Sequence, residues 1–256
     1  MSFLLILALL LLVYMTAWFG VSLWKKRNDV ADVAWGLGFV LLAWAGLLIA
    51  DETSTRSLLV TGLVSVWGIR LAWHIGRRHV GKPEDFRYAV WRQEWGKWFV
   101  LRSYGQIYLL QGTLLFLVVS PVLFINQFPG LSWGWLDSVG LLVWCLGFFF
   151  EVVGDAQLAA FIRHPENKGK LMRGGLWRWS RHPNYFGEVT GWWGIWIMAL
   201  SVPYGFLTIV GPLTITLLIL KVSGVPLLEK KMAEHPDFAA YRAETSMFFP
   251  WFPTKR

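Results

Sequence analysis

The sequence predicts an all-α polytopic membrane protein with about seven transmembrane helices. Hydrophobic residues make up 55% of the 256 residues and charged residues 16%, whereas soluble proteins contain nearer ~25% charged residues. Apolar stretches of roughly 20 residues recur along the chain, and each is long enough to cross a hydrocarbon core about 30 Å thick. The seven predicted spans are 2–24, 31–50, 57–76, 101–124, 134–154, 186–202 and 204–222.

The first and last predicted spans have features of their own. Span one is too long for a signal peptide and its basic residues follow the apolar run, so we expect it to remain in the mature protein. The last two spans are short and meet at Pro203, which leaves open a helical hairpin or one broken element. The sequence shows no repeat or linker, so residues 1–256 are predicted to form a single integral membrane domain.

Basic residues predict how the chain is oriented in the membrane. Of the 24 Lys and Arg residues, 22 fall on one side of the predicted spans, leaving Arg56 and the intramembrane Arg70. The positive-inside rule then places the N-terminus outside and the C-terminus in the cytoplasm, and we expect a bacterial inner membrane. The net charge of +8 is thus explained by cytoplasmic loops, with no nucleic-acid partner expected. The single cysteine, Cys145, excludes a disulfide framework.

A short polar segment before the sixth span carries the strongest functional signal. Residues 173–188 contain three arginines, a histidine, an asparagine, a tyrosine and a glutamate, and an apolar run follows at once. Such a cluster at the mouth of a membrane helix is costly unless something binds there. Arginines hold anions bidentately, and Asn, Tyr and Glu add hydrogen-bonding groups. The segment predicts a site for a phosphorylated or adenosyl cofactor, although a plain basic loop is the simpler alternative and no GxGxxG or Walker signature is present.

Polar residues within the predicted spans are candidates for proton transfer. Asp32 lies one turn into span two, where it is either a helix cap or a buried acid that remains protonated. His74 and Tyr104 are alternative proton donors, and each is otherwise an ordinary hydrogen-bonding residue. The carboxylates Glu151 and Asp155 lack a His or Cys at ligand spacing, so no metal site is expected.

Several of these residues belong to a pattern that resembles a known family. The run IRHPENKGKLMRGGLWRWSRHPNYFGE at 162–188, DVAWGLGF at 32–39 and GFFFE at 147–151 resemble the steroid 5-alpha-reductase C-terminal family. The likeness is strongest to a bacterial branch of uncharacterised proteins. The wider superfamily also contains sterol reductases and isoprenylcysteine carboxyl methyltransferases.

The resemblance implies a cytoplasm-facing cofactor pocket in the C-terminal half, residues 134–256, which holds NADPH in the reductases. It also implies a set of cofactor-binding residues, of which Asn184, Tyr185 and Glu188 would contact the nicotinamide. The phosphates or the adenosine ribose would be served by Arg163, Lys170, Arg173, Arg181 and His182. The tail would contribute Lys231 and Tyr241, and Trp177 completes the set. One departure is that span two lacks the Gln–Glu pair of the steroid-reducing members.

Two enzymatic functions follow from these patterns, and a non-catalytic lipid-binding or transport protein is a third alternative that leaves the dense polar segment at 163–188 unexplained. The first is an NADPH-dependent reductase of a conjugated carbon–carbon double bond in a lipid-soluble, steroid-like or isoprenoid substrate, with Asp32, His74 or Tyr104 as the proton donor. Tyr88 is a further possible donor. The alternative is an S-adenosylmethionine-dependent membrane methyltransferase, which would need fewer cations because its cofactor lacks phosphates. Membrane lipids are the expected surroundings, and a monomer is the default state.

Overall fold

The described residues fold entirely into helices, turns and loops, which confirms the predicted all-α class. A computed structural model of the protein describes residues 2–128 and 132–254, and no β-strand occurs in those two ranges. The α-helices are α1 (Phe3–Lys25), α2 (Val30–Ile49), α3 (Thr55–His79), α4 (Phe86–Trp95), α5 (Phe99–Ser103), α6 (Leu110–Gln127), α7 (Trp135–Arg163), α8 (Pro183–Ala199), α9 (Val210–Leu217), α10 (Val225–Met232) and α11 (Phe238–Glu244).

Within the described ranges, six helical segments are long and apolar enough to cross a membrane, so the chain is an integral membrane protein. The six are Phe3–Lys25, Val30–Ile49, Thr55–His79, Phe86–Gln127, Trp135–Arg163 and Gly205–Met232. The predicted span 186–202 corresponds to α8, which has 17 residues and a length of about 25 Å. Because α8 is shorter than the roughly 20 residues that cross a bilayer, the predicted number of seven is only approximate.

The fourth of these segments begins earlier than the sequence suggested. The apolar pattern of the sequence predicts a span that begins at 101. Instead α4, a short 3-10 turn, α5 and a π turn at Tyr104–Leu109 lead directly into α6. Trp91 and Trp95 stack on α4 with ring centroids 5.3 Å apart.

The chain divides into two compact units. The first comprises Met1–Trp133 and Ala199–Val210, and the second comprises Gly134–Met198 and Gly211–Arg256. The second unit begins at the residue where the sequence analysis starts the cofactor-binding half.

In the first unit, α2 and α3 make the most extensive helix pair. They cross at two glycines, since a Cβ atom added to Gly36 would lie 2.7 Å from the carbonyl oxygen of Gly68. Small residues at such crossings let membrane helices approach to backbone contact. Nearby, the buried Asn126 of α6 donates a 2.9 Å hydrogen bond to the carbonyl oxygen of Ala43, which gives its amide nitrogen a partner within the core.

In the second unit, α7 and α8 pack through glycines along their whole contact. On α7, Gly140 and Gly147 are seven residues apart and face glycines of α8. A Cβ added to Gly147 would lie 2.5 Å from the carbonyl oxygen of Gly187, and one added to Gly140 would lie 2.6 Å from that of Gly194. The contact continues to Gly154, whose added Cβ would lie 3.2 Å from the backbone nitrogen of Asn184. The polar start of α8 is therefore fixed against α7.

Candidate cofactor site

The polar segment predicted to bind a cofactor is the loop between α7 and α8 together with the first turn of α8. A 3-10 turn at Gly175–Arg178 shapes the loop, and Gly175 has a positive φ of 58°. A Cβ on Gly175 would lie 2.5 Å from the side-chain amide of Gln157, whose oxygen accepts a 2.9 Å hydrogen bond from the Leu176 backbone N–H. Glycine is required here because L side chains disfavour this φ and the space is filled.

At the end of the loop, Arg181 and His182 both bind Glu229 of α10. Arg181 donates through Nε and Nη2 to the two carboxylate oxygens, each at 2.9 Å. His182 Nε2 lies 2.9 Å from Oε1 of the same carboxylate. Arg181 also donates through Nη1 to the carbonyl oxygen of Thr245 at 2.6 Å. The two basic residues of the motif are therefore buried members of an internal cluster.

The C-terminal segment packs along the same loop in a regular register. Arg173 donates to the carbonyl oxygen of Asp237 at 2.6 Å, and its guanidinium lies 5.4 Å from the centre of the Tyr241 ring. The Tyr241 hydroxyl in turn donates to the carbonyl oxygen of Trp177, and the Trp177 indole donates to that of Gly154 at 3.0 Å. The contacts join residues 173, 177 and 181 of the loop to residues 237, 241 and 245 of the tail. They attach the tail to the loop along its length.

These contacts change the roles expected for four predicted cofactor ligands. Arg181 is 4% exposed and its guanidinium is occupied by Glu229 and backbone carbonyls, so it does not fit a phosphate ligand as predicted. Trp177 and Tyr241 are buried and tie the loop to α7 and α11. His182 is 0% exposed and also fails to fit a phosphate ligand. The four residues build the site's frame.

The surroundings of His182 determine its charge. Burial lowers the pKa of the imidazole, and the nearby positive charge of Arg181 lowers it further, while the hydrogen bond to Glu229 raises it by a smaller amount. The net pKa lies below its usual value, so His182 is neutral at pH 7.

The first turns of α8 carry the three residues expected at the nicotinamide. Asn184 Nδ2 donates to Asp155 of α7 at 3.0 Å. The Tyr185 ring stacks nearly parallel to the His182 ring, with centroids 5.8 Å apart. Glu188 follows one turn later and, like Asn184 and Tyr185, is half-buried. Asn184 and Tyr185 thus share neighbours with the internal cluster.

The other predicted cations are more accessible. Arg163 at the end of α7, Lys170 in the loop and Lys231 on α10 are exposed, and Arg173 is half-buried. The three exposed cations can reach an anionic ligand without losing an internal partner and keep the chemistry that phosphates need, whereas Arg173 would have to release the carbonyl oxygen of Asp237.

The predicted proton donors lie in the first unit. Asp32, in the first turn of α2, accepts a 2.7 Å hydrogen bond from the Tyr88 hydroxyl and a 3.1 Å hydrogen bond from Arg87. Asp32 therefore has a basic and a phenolic partner within the first unit, and its role as a protonated acid stays a prediction.

The two alternative donors lie elsewhere in this unit. His74 is half-buried on α3. The Tyr104 hydroxyl lies 3.0 Å from the hydroxyl of Thr16 on α1, and its ring lies 5.0 Å from that of Phe19. The structure therefore joins Asp32 to Tyr88 and places Tyr104 beside α1.

Two charged partners of the predicted site residues lie far from them in the sequence. Glu229 is 48 residues from Arg181, and Arg87 is 55 residues from Asp32. No helical spacing connects either pair, so only a folded structure identifies them.

The fold and this site define an integral membrane protein with a rigid polar junction at the start of a short helix. The chain belongs to the DUF1295 family, described as a protein of unknown function, which matches residues 18–245. This confirms the resemblance to steroid 5-alpha-reductase-like membrane proteins.

Two relatives are consistent with the family match. An uncharacterised protein of Schizosaccharomyces pombe is 27% identical over 258 residues, which cover 90% of this chain and 75% of that protein. Steroid 5-alpha-reductase DET2 of Gossypium hirsutum is 36% identical over 73 residues, which cover 28% of each protein. The chain thus aligns with less than a third of the cotton enzyme. No solved structure matches the chain significantly.

Proposed function

We propose that this protein is an NADPH-dependent membrane reductase that acts on a conjugated carbon–carbon double bond of a lipid-soluble, steroid-like or isoprenoid substrate. The family match over residues 18–245 and the partial likeness to a steroid 5-alpha-reductase support the reaction class. The apolar helices support the substrate class, because a lipid-soluble molecule concentrates in the bilayer.

The second unit offers groups suited both to the phosphates and to the amide of a nucleotide. Arg163, Lys170 and Lys231 would bind the phosphates, as exposed cations of the second unit. The observation that carries the proposal is the Asn184 side chain, whose Nδ2 is held by Asp155 while its Oδ1 is buried without a hydrogen-bond partner. An amide N–H of a bound nicotinamide would satisfy that oxygen.

Tyr88 is our candidate for the proton donor, in place of Asp32. Its hydroxyl already donates to the Asp32 carboxylate at 2.7 Å, and Arg87 balances the charge of that carboxylate at 3.1 Å. Asp32 would orient the phenol, and Arg87 would stabilise the phenolate that remains after the proton is given up. His74 and Tyr104 are not needed in this scheme.

NADPH would supply the hydride when bound. The reduction also needs one proton, for which the Tyr88 hydroxyl is the candidate source, and water would later restore that proton. The protein's remaining task is to hold the partners and exclude water, which supplies a large part of the rate in such reactions.

Cofactor binding to the detergent-purified protein tests the proposal. Titration calorimetry should show NADPH binding, and Lys170→Ala should weaken it several-fold at low salt, with a smaller effect at high salt because screening weakens the charge interaction. Lys97→Ala, an exposed lysine of the first unit, is the matched control and should bind like the parent. Binding of S-adenosylmethionine without NADPH would instead favour the methyltransferase, which has no comparable support among the matched relatives.

A further inference from the structure

Two side chains near the start of α8 each have a buried polar atom without a hydrogen-bond partner. His182 Nδ1 and Asn184 Oδ1 are buried and have no hydrogen-bond partner among the described residues. His182 as a whole is 0% exposed, so bulk water does not reach its ring. A buried polar atom without a partner is unfavourable, and such atoms in native proteins call for an explanation.

For His182 the bare nitrogen follows from Glu229. The Glu229 carboxylate accepts from Arg181 through both oxygens, which identifies it as ionised and able only to accept. Its 2.9 Å contact with His182 Nε2 therefore requires a hydrogen on Nε2. The second ring nitrogen of a neutral imidazole then has no hydrogen and is an acceptor.

For Asn184 the same arrangement arises from Asp155. The amide nitrogen donates to Asp155 Oδ1 at 3.0 Å, and this contact fixes which end of the amide is the oxygen. Asn184 Oδ1 is therefore turned away from its carboxylate partner. In each pair a carboxylate of another helix takes the donor end and leaves the acceptor end bare.

We propose that Glu229 and Asp155 are positioning residues that present His182 Nδ1 and Asn184 Oδ1 as two acceptors for the donor-bearing part of the ligand, a carboxamide NH₂ or ribose hydroxyls. The pyrophosphate diester of a dinucleotide carries only acceptor oxygens at pH 7 and would be repelled by these two atoms. The inference rests on the proposed function, and of the two roles expected for His182, the phosphates or the adenosine ribose, it excludes the phosphates. Under this proposal the exposed cations bind the phosphates of the ligand, and the residues at the start of α8 bind its amide or its sugar.

The tautomer of His182 can be measured without any ligand. We would label the five histidines with ¹⁵N in the full-length protein in detergent and assign His182 by replacing the other four one at a time. The expected result is a protonated Nε2 and an unprotonated Nδ1 at pH 7.5. A proton on Nδ1 would overturn the proposal whatever the protein binds.

Ligand titrations of the same sample separate this proposal from the proposed function. NADPH should move the Nδ1 resonance of His182, whereas inorganic pyrophosphate at the same concentration should not. If S-adenosylmethionine moves it and NADPH does not bind, the reductase fails but the acceptor pair stands, because that ligand also carries amine and hydroxyl donors. A shift caused by pyrophosphate, or no shift with either nucleotide, would overturn the acceptor pair.

Glu229→Leu supplies a variant that releases the tautomer while roughly preserving side-chain volume. Leucine has no acceptor, so the hydrogen on His182 Nε2 loses the carboxylate oxygen that held it and is free to move to Nδ1. NADPH affinity should then fall about tenfold, the typical effect of losing one hydrogen bond. Glu234→Leu, on the exposed turn after α10, is the matched control. An unchanged His182 tautomer in the Glu229 variant would contradict the positioning role, and the wild-type spectrum decides the matter if that variant does not fold.

Discussion

Replacing Gly147 by alanine tests whether the glycine contact between α7 and α8 positions the site. The added Cβ would lie 2.5 Å from the carbonyl oxygen of Gly187 and 2.9 Å from the Cα of Gly191, whereas ordinary contact begins near 3.4 Å. The two helices must therefore separate locally by about 0.9 Å. Overpacking of this kind costs roughly 1–3 kcal/mol, and the higher helix propensity of alanine returns at most about 1 kcal/mol.

The assay is thermal unfolding in detergent, together with NADPH affinity. We expect the Gly147→Ala midpoint to fall by roughly 2–10 °C and NADPH binding to weaken, because α8 carries Asn184. Gly62→Ala is the matched control, since an added Cβ there meets no heavy atom within 4 Å. That variant should unfold at the same temperature or higher. Equal stability and affinity of the two variants would refute the idea that backbone contact between α7 and α8 fixes the site.

Three further predictions concern side chains of the two units. Arg181→Ala should destabilise the protein by about 3–5 kcal/mol, because it leaves a carboxylate without its buried partner; the exposed Arg178→Ala should change the unfolding midpoint little, and equal effects would contradict the internal role. Because the folded pKa of His182 is lowered, its contribution to stability is present above the unfolded pKa of about 6.5 and is lost as the pH falls through the lower folded value. The free energy of unfolding, measured from pH 8 to pH 5, should therefore decline by up to about 1.4 kcal/mol per pH unit from this residue. His182→Gln should flatten this dependence, and an equally steep decline in that variant would assign it to other groups. Tyr88→Phe should lower turnover by about a hundredfold or more with NADPH affinity retained, whereas Tyr104→Phe should remain active; the reverse result would make Tyr104 the proton donor.

The membrane helices were predictable because their signal is local. Apolar runs of about 20 residues need no partner to be recognised. Six of the seven predicted spans, all except 186–202, overlap a described segment that is long and apolar enough to cross a membrane. The predicted spans differ from the structure where packing determines the ends of a helix. The structure ends α8 at Ala199 after 17 residues, and it extends the fourth segment back to Phe86 through a π turn that hydropathy does not reveal.

The cofactor segment was also predictable as a location, because polar residues at the start of an apolar run are conspicuous. Their individual roles were not. Arginine usually signals an anion, yet Arg181 binds Glu229 and the Thr245 carbonyl oxygen. Asp32 was expected to act as an acid, and its pairing with Arg87 was not apparent from the sequence. In both cases the partner lies on another helix.

The amino-acid sequence by itself determined that this chain lies in a membrane, that it is helical, and that residues 173–188 are the polar segment most suited to a ligand. Tertiary structure alone decided which of those polar groups are occupied and which remain available. The physical reason is the range of the interactions. Hydropathy and helical spacing act over a few residues, whereas the partners of Arg181 and Asn184 lie 48 and 29 residues away and are selected only when α7, α8, α10 and the tail pack together.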